Sequence, residues 1–233
     1  MVLKKSKAFV LKRFKYGESS IIATLFSLDD GMFSAIIKGA RKPNSKFSGV
    51  FETLNNISVT FNKKENRDLQ FITNAECINT FGKIKENLDK LQLAYSIVEA
   101  MTKSHYYYEN NKDTYLLLDE SLTNLNKFEN NFGNILIYFL LFLSKCTGHF
   151  ILDKYRFNET FDNHSSFKDI KKVINLLEEF SKTNIIKLEG YNIEDNLYDK
   201  TIQTLVNHLN ENDLIPYHSK VERAISQMKL KKK

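Results

Sequence analysis

The stretch Gly31–Phe51, GMFSAIIKGARKPNSKFSGVF, governs how the whole chain is read. Its first part alternates as a strand does, with Phe33, Ala35 and Ile37 on one face and Ser34, Ile36 and Lys38 on the other. Gly39 ends the alternation, and Pro43, Asn44, Ser45 and Gly49 keep the rest of the stretch out of regular structure. That loop carries Lys38, Arg41, Lys42 and Lys46, and no carboxylate occurs between Asp30 and Glu52. Four cations without an anion on a flexible loop suit a polyanion better than a small substrate. A solvated surface loop is the alternative.

The flanking segments are strands too. Residues 5–15 place Phe9, Leu11 and Arg13 on one face and Ala8, Val10 and Lys12 on the other. Tyr16-Gly17-Glu18 is a turn, Ser20–Leu28 a second strand, and Asp29-Asp30-Gly31 a tight hairpin into the third. Beyond the basic loop, Leu54–Phe61 reads as a fourth strand and Leu69–Ile78 as a fifth, joined by the polar Asn62–Asp68. Five short strands without a helical period predict a small barrel, and the five-stranded Greek-key OB-fold is the best match.

From Thr80 the period changes. Ile84, Leu88, Leu91, Tyr95 and Val98 mark an amphipathic helix to about Tyr108, and Tyr106–Tyr108 reads as a stacking platform or, the more common case, as aromatic packing near its end. Asp113 is expected to cap a helix through Leu118, Leu122 and Leu125. Ile135–Leu143 is apolar on every side, which predicts the central buried helix of a bundle, with Gly148 as its stop. Further helices are expected after Ser166, over Leu197–Leu209 and after Ser219. The fold class is therefore α+β in two parts. An OB-fold barrel occupies residues 1–79 and an all-α helical bundle residues 80–233.

Charge divides the same way. Residues 1–78 hold thirteen Lys/Arg against seven Asp/Glu, whereas residues 79–233 hold twenty-one of each, so the whole excess of +6 lies in the barrel. Cys77 and Cys146 are isolated and form neither a disulfide framework nor a zinc spacing, which fits a reducing cytoplasm. The apolar run Ala8–Leu11 is too short for a signal peptide. Ile135–Leu143 falls well short of the roughly 20 residues that span a bilayer, so no membrane partner is expected.

The first part resembles the RecO family, recombination mediators of bacterial DNA repair. AFVLKRFKYGESSIIATLFSLDDGMFSAIIKGARK at residues 8–42 and NRDLQFITNAE at 66–76 carry the likeness. The opening strand, Tyr16-Gly17-Glu18-Ser19-Ser20, Lys38-Gly39-Ala40-Arg41-Lys42 and Arg67-Asp68-Leu69-Gln70 follow in the family's order and spacing. The helical part agrees with the family in architecture and length, with little diagnostic sequence. The resemblance implies an OB-fold and a helical domain that bind single- and double-stranded DNA and promote strand annealing. It also implies RecR and the acidic C-terminal tail of single-stranded-DNA-binding protein (SSB) as partners in loading recombinase, and a cytoplasmic, nucleoid-associated protein. Many relatives carry a four-cysteine zinc site in the helical domain. Residues 149–165 contain no cysteine, so no metal or other cofactor is expected.

Enzyme signatures are missing. The sequence has no GxxxxGK[ST] loop and no GxSxG elbow, and Asp29-Asp30 reads as a hairpin turn rather than a metal pair. A binding protein needs only cations for phosphates and rings for bases. The candidate cations are Lys12, Arg13 and Lys15 on the first strand, Lys38, Arg41, Lys42 and Lys46 on the basic loop, and Lys63, Lys64 and Arg67 before the last strand. Lys12 and Arg13 point to opposite faces of an ideal strand, so at most one lines a groove. Phe14, Tyr16, Phe33 and Phe47 are candidate stacking rings. Phe33 belongs to a core face, whereas Phe47, between Lys46 and Ser48, is expected to be exposed. For an acidic tail, the first helix offers Lys83, Lys85 and Lys90 as cations, with Leu88, Leu91 and Tyr95 as an apolar wall. Lys103, Lys154 and Arg156 are further cations in this half. An OB-fold RNA-binding factor and a scaffold acting through its helices are the rival functions.

Overall fold

Alternating apolar residues give five strands: β1 (Val2–Tyr16), β2 (Ser20–Ser27), β3 (Gly31–Ile37), β4 (Asn56–Lys63) and β5 (Leu69–Asn79). The computed structural model describes residues 2–64, 68–104, 111–153 and 167–215, the side chains of 167–169 excepted. The strands are ordered β1-β2-β3-β5-β4, and β1 also pairs with β4, so the sheet closes into a barrel. Closure depends on the length of β1. Its first half pairs with β4 from Val2↔Lys63 to Phe9↔Asn56, and its second half with β2 from Ala8↔Ser27 to Tyr16↔Ser20. Between Val10 and Lys12 the register slips by one residue at Leu11, a bulge that lets one strand serve two neighbours. Pairing of β3 with β5 is parallel and short, from Ser34↔Leu69 to Ile36↔Phe71.

Inside the barrel lie Ala8, Val10, Ile21, Ala23, Leu25, Phe33, Ala35, Ile37, Ile57, Val59, Phe61, Ile72 and Ala75. Phe33 stacks on Phe61 with ring centroids 4.6 Å apart. Residues 38–55, between β3 and β4, are no loose loop. They wind as consecutive turns, Lys42 N–H to Gly39 O, Ser45 to Lys42, Ser48 to Ser45 and Val50 to Phe47, each at 3.0–3.2 Å. Gly39 and Gly49 supply left-handed corners at φ 70° and 71°. The Asn55 amide donates to the carbonyls of Gly49 and Val50, and Leu54 N–H donates to Val10 O beside the bulge. The turns thereby drive Phe47 and Phe51 into the barrel, where they join the core with centroids 5.9 Å apart. Phe47, expected to be exposed, is 8% exposed. Its polar neighbours face water while its ring plugs an open barrel end. Residues 2–64, 68–81 and 111–116 form one compact unit, in which Phe81 and Tyr115 cover the outward ring of Phe9.

The second unit is helical: α1 (Gly82–Glu86), α2 (Leu88–Lys103), the greater part of α3 (Lys112–Lys127), α4 (Asn134–Cys146), α5 (Phe167–Lys182), a 3₁₀ turn (Ile185–Gly190) and α6 (Asp195–Glu211). The long amphipathic helix expected from Thr80 is two, because the Asn87 side chain accepts from the N–H groups of Asp89 and Lys90 and starts α2 afresh. At α3 it is Asn111, not Asp113, that takes an orphan N–H, from Thr114. As its sequence predicts, α4 is buried nearly all round, and it packs against α2, α5, α6 and the 3₁₀ turn. The tyrosine run 106–108, Lys154, Arg156, Ser166 and the final helix expected after Ser219 lie outside the described residues.

Candidate nucleic-acid interface

Two groups of first-unit cations lie at opposite ends of β3. At its C-terminal end, the β1–β2 turn meets the start of the plug. Arg41 N–H donates to Ser19 O at 2.8 Å, and its guanidinium Nη1 donates to Gly17 O at 3.0 Å. Lys38 is exposed, with Nζ 5.1 Å from the Phe71 ring centroid. Lys46 Nζ donates to Thr73 O at 3.0 Å and lies 4.9 Å from the Phe47 ring. Lys42 is exposed on the same turns. None of these four cations has a carboxylate partner among the described residues. Their charge is therefore available, and the plug that carries them is held by its own turns and by two buried rings.

On β1, Lys12, Arg13 and Lys15 are all exposed. The register places Lys12 opposite Thr24 on the outer face, whereas Arg13 and Lys15 lie opposite the core-facing Ala23 and Ile21. Arg13 is committed to Glu52 of the plug, Nη2 to Oε2 at 2.6 Å. Of these three, Lys12 is thus the one that faces outward.

Lys63 is placed differently from the expectation. It is the last residue of β4, not a loop residue, and its Nζ donates to Asp30 Oδ1 at 2.6 Å. Lys4 donates to the same oxygen at 2.6 Å. Burial pushes the Asp30 carboxyl up, but the two lysine hydrogen bonds and their charges outweigh it and hold the group below its ordinary value. Asp29 accepts from Ser6 Oγ at 2.6 Å, so both turn carboxylates serve to join β1 and β4 to the β2–β3 turn. Asp30 Oδ1 is taken by two lysine ammonium groups. Among the described residues no three His, Cys, Asp or Glu gather as metal ligands. Lys64 is half-buried; its N–H and C=O are both bonded to the buried Gln70 amide. Arg67 lies outside the described residues.

In the helical unit, Leu88 (61% exposed), the half-buried Leu91 and Tyr95 (41% exposed) follow at three- and four-residue steps along one side of α2. The cations expected beside them are only partly there. Lys83 is paired with Glu129 at 2.7 Å, which raises the ammonium and lowers the carboxyl. Lys90 is 3% exposed, its Nζ 5.6 Å from the Phe132 ring, because it falls on the buried side of α2. Lys85 on α1 is exposed.

Phe71 was not among the expected rings. Its signal is nonetheless present, since it alternates with the core residue Ile72 along β5 and must face outward.

Residues 1–81 match the family described as Recombination protein O N terminal. The chain is also similar to curated proteins named DNA repair protein RecO. That of Chlorobium limicola is 31% identical over 137 residues, 59% of this chain and 52% of the relative. That of Rubrobacter xylanophilus is 33% identical over 151 residues, 64% of this chain and 59% of the relative. In Salinibacter ruber the figures are 29% over 144 residues, 62% and 55%. The match thus spans little more than half the length of these relatives.

Proposed function

We propose, from the match of residues 1–81 to the family described as Recombination protein O N terminal, that the chain is a DNA repair and recombination mediator that binds DNA through its barrel. The observation that carries the proposal is the group Lys38, Arg41, Lys42 and Lys46, held on the hydrogen-bonded turns of residues 38–55 without carboxylate partners among the described residues. Such cations contact phosphates and give affinity without reading sequence. A surface of this kind holds single- or double-stranded DNA. By screening the repulsion between two strands, it favours annealing. The role is one of binding, not bond-making. With RecR, the protein helps place recombinase on SSB-coated DNA in the cytoplasm, at the nucleoid. The acidic SSB tail lies along Leu88, Leu91 and Tyr95 of α2. No helix among the described residues is long and apolar enough to cross a membrane.

Charge reversal tests this. The Arg41→Glu/Lys42→Glu protein should lose tenfold or more in affinity for a single-stranded DNA oligonucleotide at about 0.1 M salt. Unlabelled structured RNA should displace that oligonucleotide from the unaltered protein less effectively than DNA does. Undiminished binding by the variant would remove the plug from the interface, and stronger displacement by RNA would move the function to RNA.

A further inference from the structure

The strand registers align a row of residues that sequence alone does not assemble. Phe14 of β1 is opposite Ile22 of β2, Ile22 is opposite Ile36 of β3, and Ile36 is opposite Phe71 of β5. Ile22, Ile36 and Phe71 are each one residue away from a core-facing neighbour, Ile21 and Ala23 on β2, Ala35 and Ile37 on β3, and Ile72 on β5, and Phe14 pairs with Ile22, so the row lies on the outer face. Four strands at about 4.8 Å spacing make it about 15 Å long. Phe14 is 48% exposed, and Tyr16, two residues along the same face, is 52% exposed. Ile22 and Ile36 between the two phenylalanines are 9% and 7% exposed, a nearly closed apolar floor.

Exposed rings on a barrel are costly to leave in water, and the surroundings here point to what they meet. Lys12 lies two residues before Phe14 on the same face. Lys38 covers the Phe71 end, and Arg41 is tied to the turn after Tyr16. Cations therefore border the row at both ends, while the rings stand between them. A protein partner with an apolar patch would not need that border. A strand of unpaired nucleotides presents flat bases on one side and phosphates on the other, which is the complement of this surface.

We propose that Phe14 and Tyr16, at the head of the Phe14–Ile22–Ile36–Phe71 row, are a stacking platform for the unpaired bases of single-stranded DNA. The platform rests on the proposed nucleic-acid binding by the barrel and adds to it a preference: phosphate contacts serve duplex and single strand alike, whereas the rings serve only bases that are not paired. Phe47 has no part in it, being inside the barrel.

The experiment uses the full chain and two probes of equal length, oligo(dT) and a blunt duplex, each titrated at one salt concentration and across a salt series. Stacking on an aromatic ring is a large effect, so Phe14→Ala/Tyr16→Ala should weaken oligo(dT) binding about tenfold or more. Duplex affinity should stay within about twofold, and neither salt slope should change, because no phosphate contact is lost. Phe14→Leu keeps apolar cover over Ile22 but removes the ring, and should show most of the same selective loss. Tyr16→Phe should bind as the unaltered protein does. Equal loss on both probes, or a Phe14→Leu protein that binds oligo(dT) normally, would overturn the platform while leaving the basic plug in place. An unaltered protein that binds neither probe would overturn nucleic-acid binding itself, and the platform with it.

Discussion

Asp30 decides what several lysines are for. Its carboxylate is 5% exposed and takes hydrogen bonds from Lys4 and Lys63, so these two cations hold the barrel together at the β2–β3 turn. The carboxyl titrates below its ordinary value when folded. A depressed acid stabilises the fold above the unfolded value of about 3.9, and that contribution disappears as pH falls through the folded value. Asp30→Asn should therefore cost about 1–3 kcal/mol at neutral pH, the worth of charge-assisted hydrogen bonds whose lysines are partly solvated. The difference from the unaltered protein should shrink as the solution is acidified below about pH 4. Denaturant unfolding at several pH values measures it, and a gap that is constant with pH would show that Asp30 contributes through shape alone. Neighbouring residues in sequence can differ as sharply in role: Arg13 is spent on Glu52, while Lys12 faces outward.

Among the elements, the plug of residues 38–55 is the one that the fold of the barrel needs and the proposed binding surface would use. Phe47 and Phe51 close one barrel end from inside while Lys38, Arg41, Lys42 and Lys46 line its outside. Phe47→Ala should cost about 3–5 kcal/mol, the range for removing a buried ring, and lower the melting temperature accordingly. Phe14→Ala, at an exposed ring, should cost about 0.5 kcal/mol or little more. Equal shifts in thermal unfolding would mean that Phe47 is not a structural plug. Strand positions were legible in the sequence because a period of two names the inward face, and Phe33, Ala35 and Ile37 all sit where the alternation puts them. Helix α4 was legible because it has no polar face at all. A run of turns has no period, so nothing marked Phe47 as the ring that turns inward. The bulge at Leu11 moves Lys12 off the face of Ala8 and Val10, and the fresh start at Asn87 rests on one capping side chain; pairing and capping decide both, and the apolar period marks neither. For the same reason the outward row from Phe14 to Phe71 needed the strand registers: its members are separated by up to 57 residues and meet only through pairing.

For the whole molecule, charge separates what composition blends. The excess of +6 belongs to residues 1–78, and of the helical cations expected to draw an acidic tail, Lys83 is paired with Glu129 and Lys90 is buried. The basic part is also the part that matches the recombination protein O N-terminal family. These facts support one proposal, that the plug end of the barrel is where phosphates are held. The most direct measurement is the salt dependence of single-stranded DNA binding by the full chain, compared with Arg41→Ala/Lys42→Ala and with Lys63→Ala. Each phosphate contact on a single strand contributes about 0.7 to the log–log slope. If both plug residues hold phosphates, their joint removal should flatten the slope by about 1.4. Lys63→Ala should leave the slope unchanged, because that lysine is committed to Asp30. A plug variant with the slope of the unaltered protein, or a Lys63 variant that loses more than the plug variant does, would contradict the account.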